Sequence, residues 1–153
     1  MVNECPLHSA PVSDILDLDT EFGSRTERRL REETLGWLVT AGKDGTPQPN
    51  PVWFLWDGES LLIYSAPDQA KLKNIERNPM VAFHLDSRRD GDDIVIITGE
   101  AHIDATAPPV DRNPPYVAKY QEEIKRIGLF NAEAMALTYS VAIRLTPRKL
   151  RGF

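Results

Sequence analysis

The chain has 153 residues, with 18 basic and 23 acidic side chains and a net charge of −5. That length predicts one domain with room for a real core, and the acidic balance argues against general nucleic-acid binding, which favours a strongly basic surface. The single cysteine, Cys5, excludes an intrachain disulfide and suits a reducing compartment. No apolar run reaches transmembrane length, and the first residues lack the basic and apolar regions of a signal peptide. The expectation is cytoplasmic residence, with no membrane and no nucleic-acid partner.

Residues 1–23 contain Pro6, Pro11 and scattered acids with little periodicity, and read as a poorly ordered lead-in to a domain over residues 24–153. Ser24-Arg25-Thr26-Glu27 fits a capping box for a helix that Gly36 ends. Trp37 to Ala41 reads as a strand, Lys43-Asp44-Gly45-Thr46 as a hairpin turn, and Pro47 to Trp56 as the return strand. Prolines at 47, 49 and 51 share one parity, which places this strand at an edge or leaves it half paired. Asp57-Gly58 is a second tight turn, leading into Leu61 to Ser65.

The stretch Leu61 to Pro79 reads as strand, turn and helix, with Asp68 as the N-cap and Asn78-Pro79 as the stop. Two readings of Lys71 and Lys73 stand side by side. They solvate an exposed helix face, the commoner use of such charges. Alternatively, Lys71, the Ser65 hydroxyl and free helix N–H groups hold a phosphate.

Val81, Phe83 and Leu85 alternate with polar positions, a half-buried strand that sets His84 on its polar side. Ile94 to Ile103 is the next strand, where Gly99 signals a bulge or a close backbone approach. Tyr116, Tyr120, Ile124 and Ile127 mark a helical face that Gly128 terminates, read as core or dimer packing. Asn131 caps a short helix through Leu137; Val141, Ile143 and Leu145 form a last strand; Arg148 to Arg151 make a basic tail. About six strands joined by tight hairpins predict an α+β fold, a small six-stranded antiparallel barrel with peripheral helices.

Familiar catalytic signatures are missing. There is no Gly-rich phosphate loop and no nucleophile elbow, and His8, His84 and His102 lack metal-ligand spacing, so no metal is expected. If the protein is an enzyme, the reactive chemistry belongs to an organic cofactor.

The order of elements, with Asp44-Gly45-Thr46-Pro47-Gln48-Pro49, Val52-Trp53-Phe54, Leu62-Ile63-Tyr64-Ser65, Lys71-Leu72-Lys73-Asn74-Ile75, Asn78-Pro79 and Ile97-Thr98-Gly99-Glu100-Ala101, resembles the pyridoxamine-5′-phosphate-oxidase-like split-barrel family. Within it the chain is similar to the branch of probable deazaflavin (coenzyme F-420)-dependent enzymes. The resemblance implies a homodimer with cofactor sites at the subunit interface, F-420 or alternatively FMN as cofactor, and hydride transfer to an electron-poor small-molecule substrate. A non-catalytic flavin- or haem-binding carrier of the same fold is the rival. By the family's pattern Ser65, Lys71, Lys73 and Asn74 match phosphate-holding positions, and Asn50, Val52 and Trp53 lie beside the ring. No catalytic residue is assigned. The C-terminal Arg144 to Phe153 lacks the aromatic and basic segment with which true pyridoxamine-phosphate oxidases hold substrate, so vitamin B6 oxidation is not expected.

Overall fold

The computed structural model describes residues 15–129 and 131–153. Seven strands form one antiparallel sheet: β1 (Gly36–Ala41), β2 (Pro47–Val52), β3 (Leu55–Trp56), β4 (Leu61–Ser65), β5 (Met80–His84), β6 (Val95–Ile103) and β7 (Val141–Gly152). Their spatial order is β2-β1-β5-β6-β7-β4-β3. The helices are α1 (Glu21–Glu32), α2 (Ala70–Arg77), α3 (Pro114–Arg126) and α4 (Ala132–Thr138), with a 3-10 turn at Val110–Arg112.

Strands β2 and β3 stand at opposite edges of the sheet, yet only Trp53 and Phe54 separate them along the chain. Three Cα–Cα steps span at most about 11 Å. Six strand spacings in a flat sheet would total about 29 Å. The sheet must therefore curl until its edges nearly meet, a barrel left open between β2 and β3.

The expected six strands are seven, because the segment read as one strand from Pro47 to Trp56 breaks at Trp53-Phe54. There the Phe54 N–H donates to the Tyr120 hydroxyl at 2.8 Å, and the Phe54 carbonyl accepts from the same hydroxyl at 2.7 Å. With both backbone groups of Phe54 engaged by a helix, the ladder stops and restarts against another neighbour. The proline-bearing β2 does lie at an edge, and the Gly45 turn joins it to β1 with a φ of +84°, a conformation glycine adopts without steric cost.

Burial follows the two faces of the curled sheet. Leu38, Phe83, Ile97, Leu61, Ile63, Ile143 and Leu145 fill the barrel with Phe54, Leu30 and Trp56. Leu62, Tyr64 and Ala142 point outward into a second cluster with Tyr116, Tyr120, Ile124 and Met135. All five β4 residues are buried, since one face meets the barrel core and the other meets α3 and α4. At the predicted bulge, Thr98 pairs with Lys149 and Gly99 with Pro147, leaving Arg148 as the extra residue. A Cβ on Gly99 would lie 2.2 Å from the Thr146 carbonyl oxygen, so the strands close on each other only over glycine.

Four boundaries differ from the sequence reading. Helix α1 starts at Glu21, because Thr20 rather than Ser24 is the N-cap and its hydroxyl accepts from the Gly23 N–H at 3.0 Å. Gly36 opens β1 instead of closing the helix. Asp68 is not the cap of α2: it sits in the left-handed region with φ +63°, while a cap needs extended backbone, which Gln69 supplies. The basic residues after Leu145 are no tail, because Lys149 and Arg151 pair with β6 and the bulged Arg148 meets Glu100 at 2.8 Å. The lead-in up to residue 14, with Cys5 and His8, lies outside the described residues.

Candidate functional site

A cavity of about 270 Å³ opens beside the break between β2 and β3. One wall is the end of β2 and the residue after it, Pro51, Val52 and Trp53. A second is the end of β4, Tyr64 and Ser65, and the first turn of α2 adds Lys71. The remaining wall comes from α3, α4 and their flanks: Tyr116, Ile127, Met135 and Tyr139. No acidic residue and no histidine is among these lining groups.

Lys71 is the cation of the site. It is half-buried, and among the described residues it makes no hydrogen bond or salt bridge. Burial alone pushes its pKa below the ordinary lysine value. An ammonium held in this way is stabilised by any anion that enters the cavity.

Two features around it point the same way. The Gln69 cap of α2 makes no side-chain hydrogen bond and no acid occupies the first turn, so no capping side chain satisfies the first N–H groups of the helix. Ser65 is buried, and its hydroxyl donates to the neighbouring Ala66 carbonyl at 2.9 Å, a local bond that an anionic acceptor can replace.

Of the residues expected from the sequence, Val52, Trp53, Ser65 and Lys71 converge on this cavity. The others do not line it. Lys73 is exposed on α2. Asn50 turns its amide to the Gln48 carbonyl at 3.3 Å. The buried Asn74 amide donates to Thr40 Oγ1 at 3.0 Å and to Gln48 Oε1 at 2.8 Å, tying α2 to β1 and β2.

The aromatic wall was not expected as a site. Tyr116 stands edge-on to Tyr64, with centroids 4.8 Å apart and planes at 88°. Tyr120 stacks on Trp53 from behind. The Tyr64 hydroxyl donates to the Pro108 carbonyl at 2.6 Å and accepts from the Asn113 amide at 3.0 Å. A tyrosine stripe at helical spacing looks alike whether it fills a core or walls a pocket. The readable signal was that three of the chain's four tyrosines fall within residues 116–139.

The chain is thus a curled, split antiparallel barrel with a cation-bearing, aromatic-walled cavity beside its split, which no acid among the described residues lines. The family model described as pyridoxamine 5′-phosphate oxidase matches residues 23–153, and the chain belongs to that family. Among solved structures, an F-420 reductase is similar at 28% identity and a TM-score of 0.61, with 82% of this chain and 94% of that chain covered. A conserved hypothetical protein of Mycobacterium tuberculosis is similar at 24% identity and a TM-score of 0.62, covering 93% and 88% of the two chains. A haem storage protein of Vibrio cholerae is similar at 13% identity and a TM-score of 0.60, covering 87% and 95%. The last two likenesses are of fold alone. No curated protein matches the chain. Among the described residues no helix is long and apolar enough to cross a membrane.

Proposed function

We propose that the protein is an oxidoreductase that uses reduced coenzyme F-420, with FMN as the alternative, to reduce an electron-poor small molecule such as a quinone or a conjugated enone. The observation that carries this reading is Lys71, a half-buried cation that among the described residues has no partner, in a cavity that none of the described acidic residues lines. Lys71, the Ser65 hydroxyl and the open first turn of α2 would hold the phosphate, and Val52 and Trp53 would flank the ring. The cofactor, when bound, supplies the hydride. The chain's own work is to neutralise the anion, orient the ring and keep water from the reacting face. The 28% identity to an F-420 reductase supports this choice of cofactor.

The working form we propose is a homodimer. A volume of about 270 Å³ lies just under the usual range of about 300–1,000 Å³ for ligand pockets, as fits a site that a second chain completes. The outer sheet face offers a surface for that copy: Trp37 and His84 are cross-strand partners, as are Val39 and Ala82, and all four stay half-exposed. Trp37 and His84 stack at 6.3 Å.

Binding without turnover is the rival. It is favoured by the absence of a carboxylate or histidine among the described residues that line the cavity, which leaves these without a general acid or base of the usual pKa range. Among the described residues no imidazole lines this cavity to ligate a haem: His84 stacks on Trp37, and His102 lies largely exposed near Glu100.

Titration with F-420 and, separately, FMN tests the proposal. Binding in the micromolar range that Lys71→Ala weakens about tenfold or more is the expected result, consistent with the loss of one charge-assisted contact. Undetectable binding of both cofactors at tens of micromolar would remove the proposal. Rapid mixing of the reduced complex with quinones and enones then separates enzyme from binder, and no oxidation by any acceptor selects the binder.

A further inference from the structure

All four tyrosines of the chain gather at the cavity: Tyr64, Tyr116 and Tyr139 line it, and Tyr120 stacks on its Trp53. The Tyr64 and Tyr120 hydroxyls are engaged by protein groups. Tyr116 differs. Its side chain is 0% exposed, its ring is locked between Tyr64 and Tyr120 at 4.8 and 4.7 Å, and its hydroxyl has no hydrogen-bond partner among the described residues. A buried hydroxyl left unpaired in a native fold calls for an explanation, because the free chain would satisfy it with water. Here the orphan group belongs to a residue of the cavity wall.

We propose that Tyr116 is a specificity residue of this cavity, whose hydroxyl donates a hydrogen bond to a neutral oxygen acceptor, a quinone or ketone oxygen, on a planar apolar ligand. The inference rests on reading the cavity as the binding site. Burial pushes the Tyr116 pKa far upward, so the phenol stays protonated and serves as a donor. The rings against it, Tyr64 and Tyr120, and the members of its buried cluster, Met135 among them, are aromatic or apolar, and none carries a fixed charge. Such a surround disfavours a carboxylate at this point and favours an uncharged carbonyl. Because the hydroxyl is sealed from solvent, admitting an acceptor takes a small shift of the wall. The arrangement discriminates by what it would leave unmade: a ligand of the same shape without the oxygen buries the hydroxyl unpaired again.

The test compares menadione with 2-methylnaphthalene, a planar bicycle of like size without oxygens, binding to the cofactor-free wild type and to Tyr116→Phe by calorimetric titration. The expected result is that the wild type prefers menadione by about tenfold, the scale of one hydrogen bond, and that Tyr116→Phe abolishes the preference. The ligand-free Tyr116→Phe protein should melt at the same temperature or higher, since it loses an unpaired hydroxyl. A lower melting temperature would assign the hydroxyl a structural partner and overturn the inference, as would an unchanged preference. Should Lys71→Ala abolish cofactor binding while Tyr116→Phe leaves menadione affinity unaltered, the cofactor reading stands and this inference falls. In a wild type that binds neither cofactor yet shows the Tyr116-dependent preference, the cofactor reading falls and this inference stands.

Discussion

Trp53 lies flat on Tyr120, with ring centroids 4.8 Å apart and planes only 8° from parallel. The two residues are far apart in sequence, and their contact fixes where the split of the barrel falls. Tyr120 also binds the backbone of the next residue, Phe54, through its hydroxyl. One helix side chain thus holds a wall of the cavity by its ring and stops the strand by its hydroxyl.

Tyr120→Phe should separate those two roles. The stack survives, but the buried Phe54 N–H loses its acceptor. The Thr34 and Phe54 carbonyls, 2.9 and 2.7 Å from the hydroxyl, share its single proton, and Lys119 also serves only the Phe54 one. Leaving a buried backbone donor unpaired costs about 1–3 kcal/mol. Urea unfolding monitored by tryptophan fluorescence should show a loss of that size. Unchanged stability would mean that water reaches Phe54.

Asn74 offers a second separation. It is 5% exposed, and its amide spans Thr40 and Gln48. Asn74→Ala should lower the unfolding free energy by about 1–3 kcal/mol, because the buried Thr40 hydroxyl and the side-chain Oε1 of Gln48 lose their donor. Its effect on FMN or F-420 affinity should be smaller than that of Lys71→Ala, since Asn74 reaches β1 and β2 and not the cavity. The check is to measure denaturation and ligand titration on both variants. A larger loss of affinity from Asn74→Ala would place the anion nearer the middle of α2.

Much of this architecture was legible locally. The Asp44-Gly45 and Asp57-Gly58 turns, the edge prolines of β2, the Gly99 bulge and the Asn131 cap each declare a backbone conformation within a few residues. What escaped depends on distant partners. Nothing near Phe54 in sequence says that Tyr120, 66 residues later, will claim its N–H and split the strand. Nor does Asp68 reveal that the turn before α2 takes a left-handed residue, which hands the cap to Gln69. The cavity was half readable for the same reason. Lys71 and Ser65 stand beside one turn, whereas Tyr116 and Tyr139 reach the site only through packing of α3 and α4 on β4.

Lys119 gives the fold a pH dependence of predictable sign. Its ammonium sits 4.0 Å from the centre of the Phe54 ring and donates to the Phe54 carbonyl at 3.0 Å and to Leu30 at 3.4 Å, joining α3 to the split and to the end of α1. Burial lowers its pKa to about 8, with the Glu33 carboxylate pulling back upward. Below that pH both folded and unfolded chains hold the proton, and the fold bears the whole cost of burying the charge. Between about 8 and the ordinary lysine value of about 10.4 the unfolded chain binds more protons, so stability rises with pH through this window and levels off above it. The slope cannot exceed about 1.4 kcal/mol per pH unit for one proton, and partial solvation of the side chain makes it smaller. Lys119→Met has no proton to release. Urea denaturation of both proteins at pH 7, 8.5 and 10 cancels the other titrating groups, and the difference should move in favour of the wild type as pH rises. Parallel profiles would show that the two carbonyls and the Phe54 ring hold the ammonium as well as water does, leaving no buried-charge penalty to relieve.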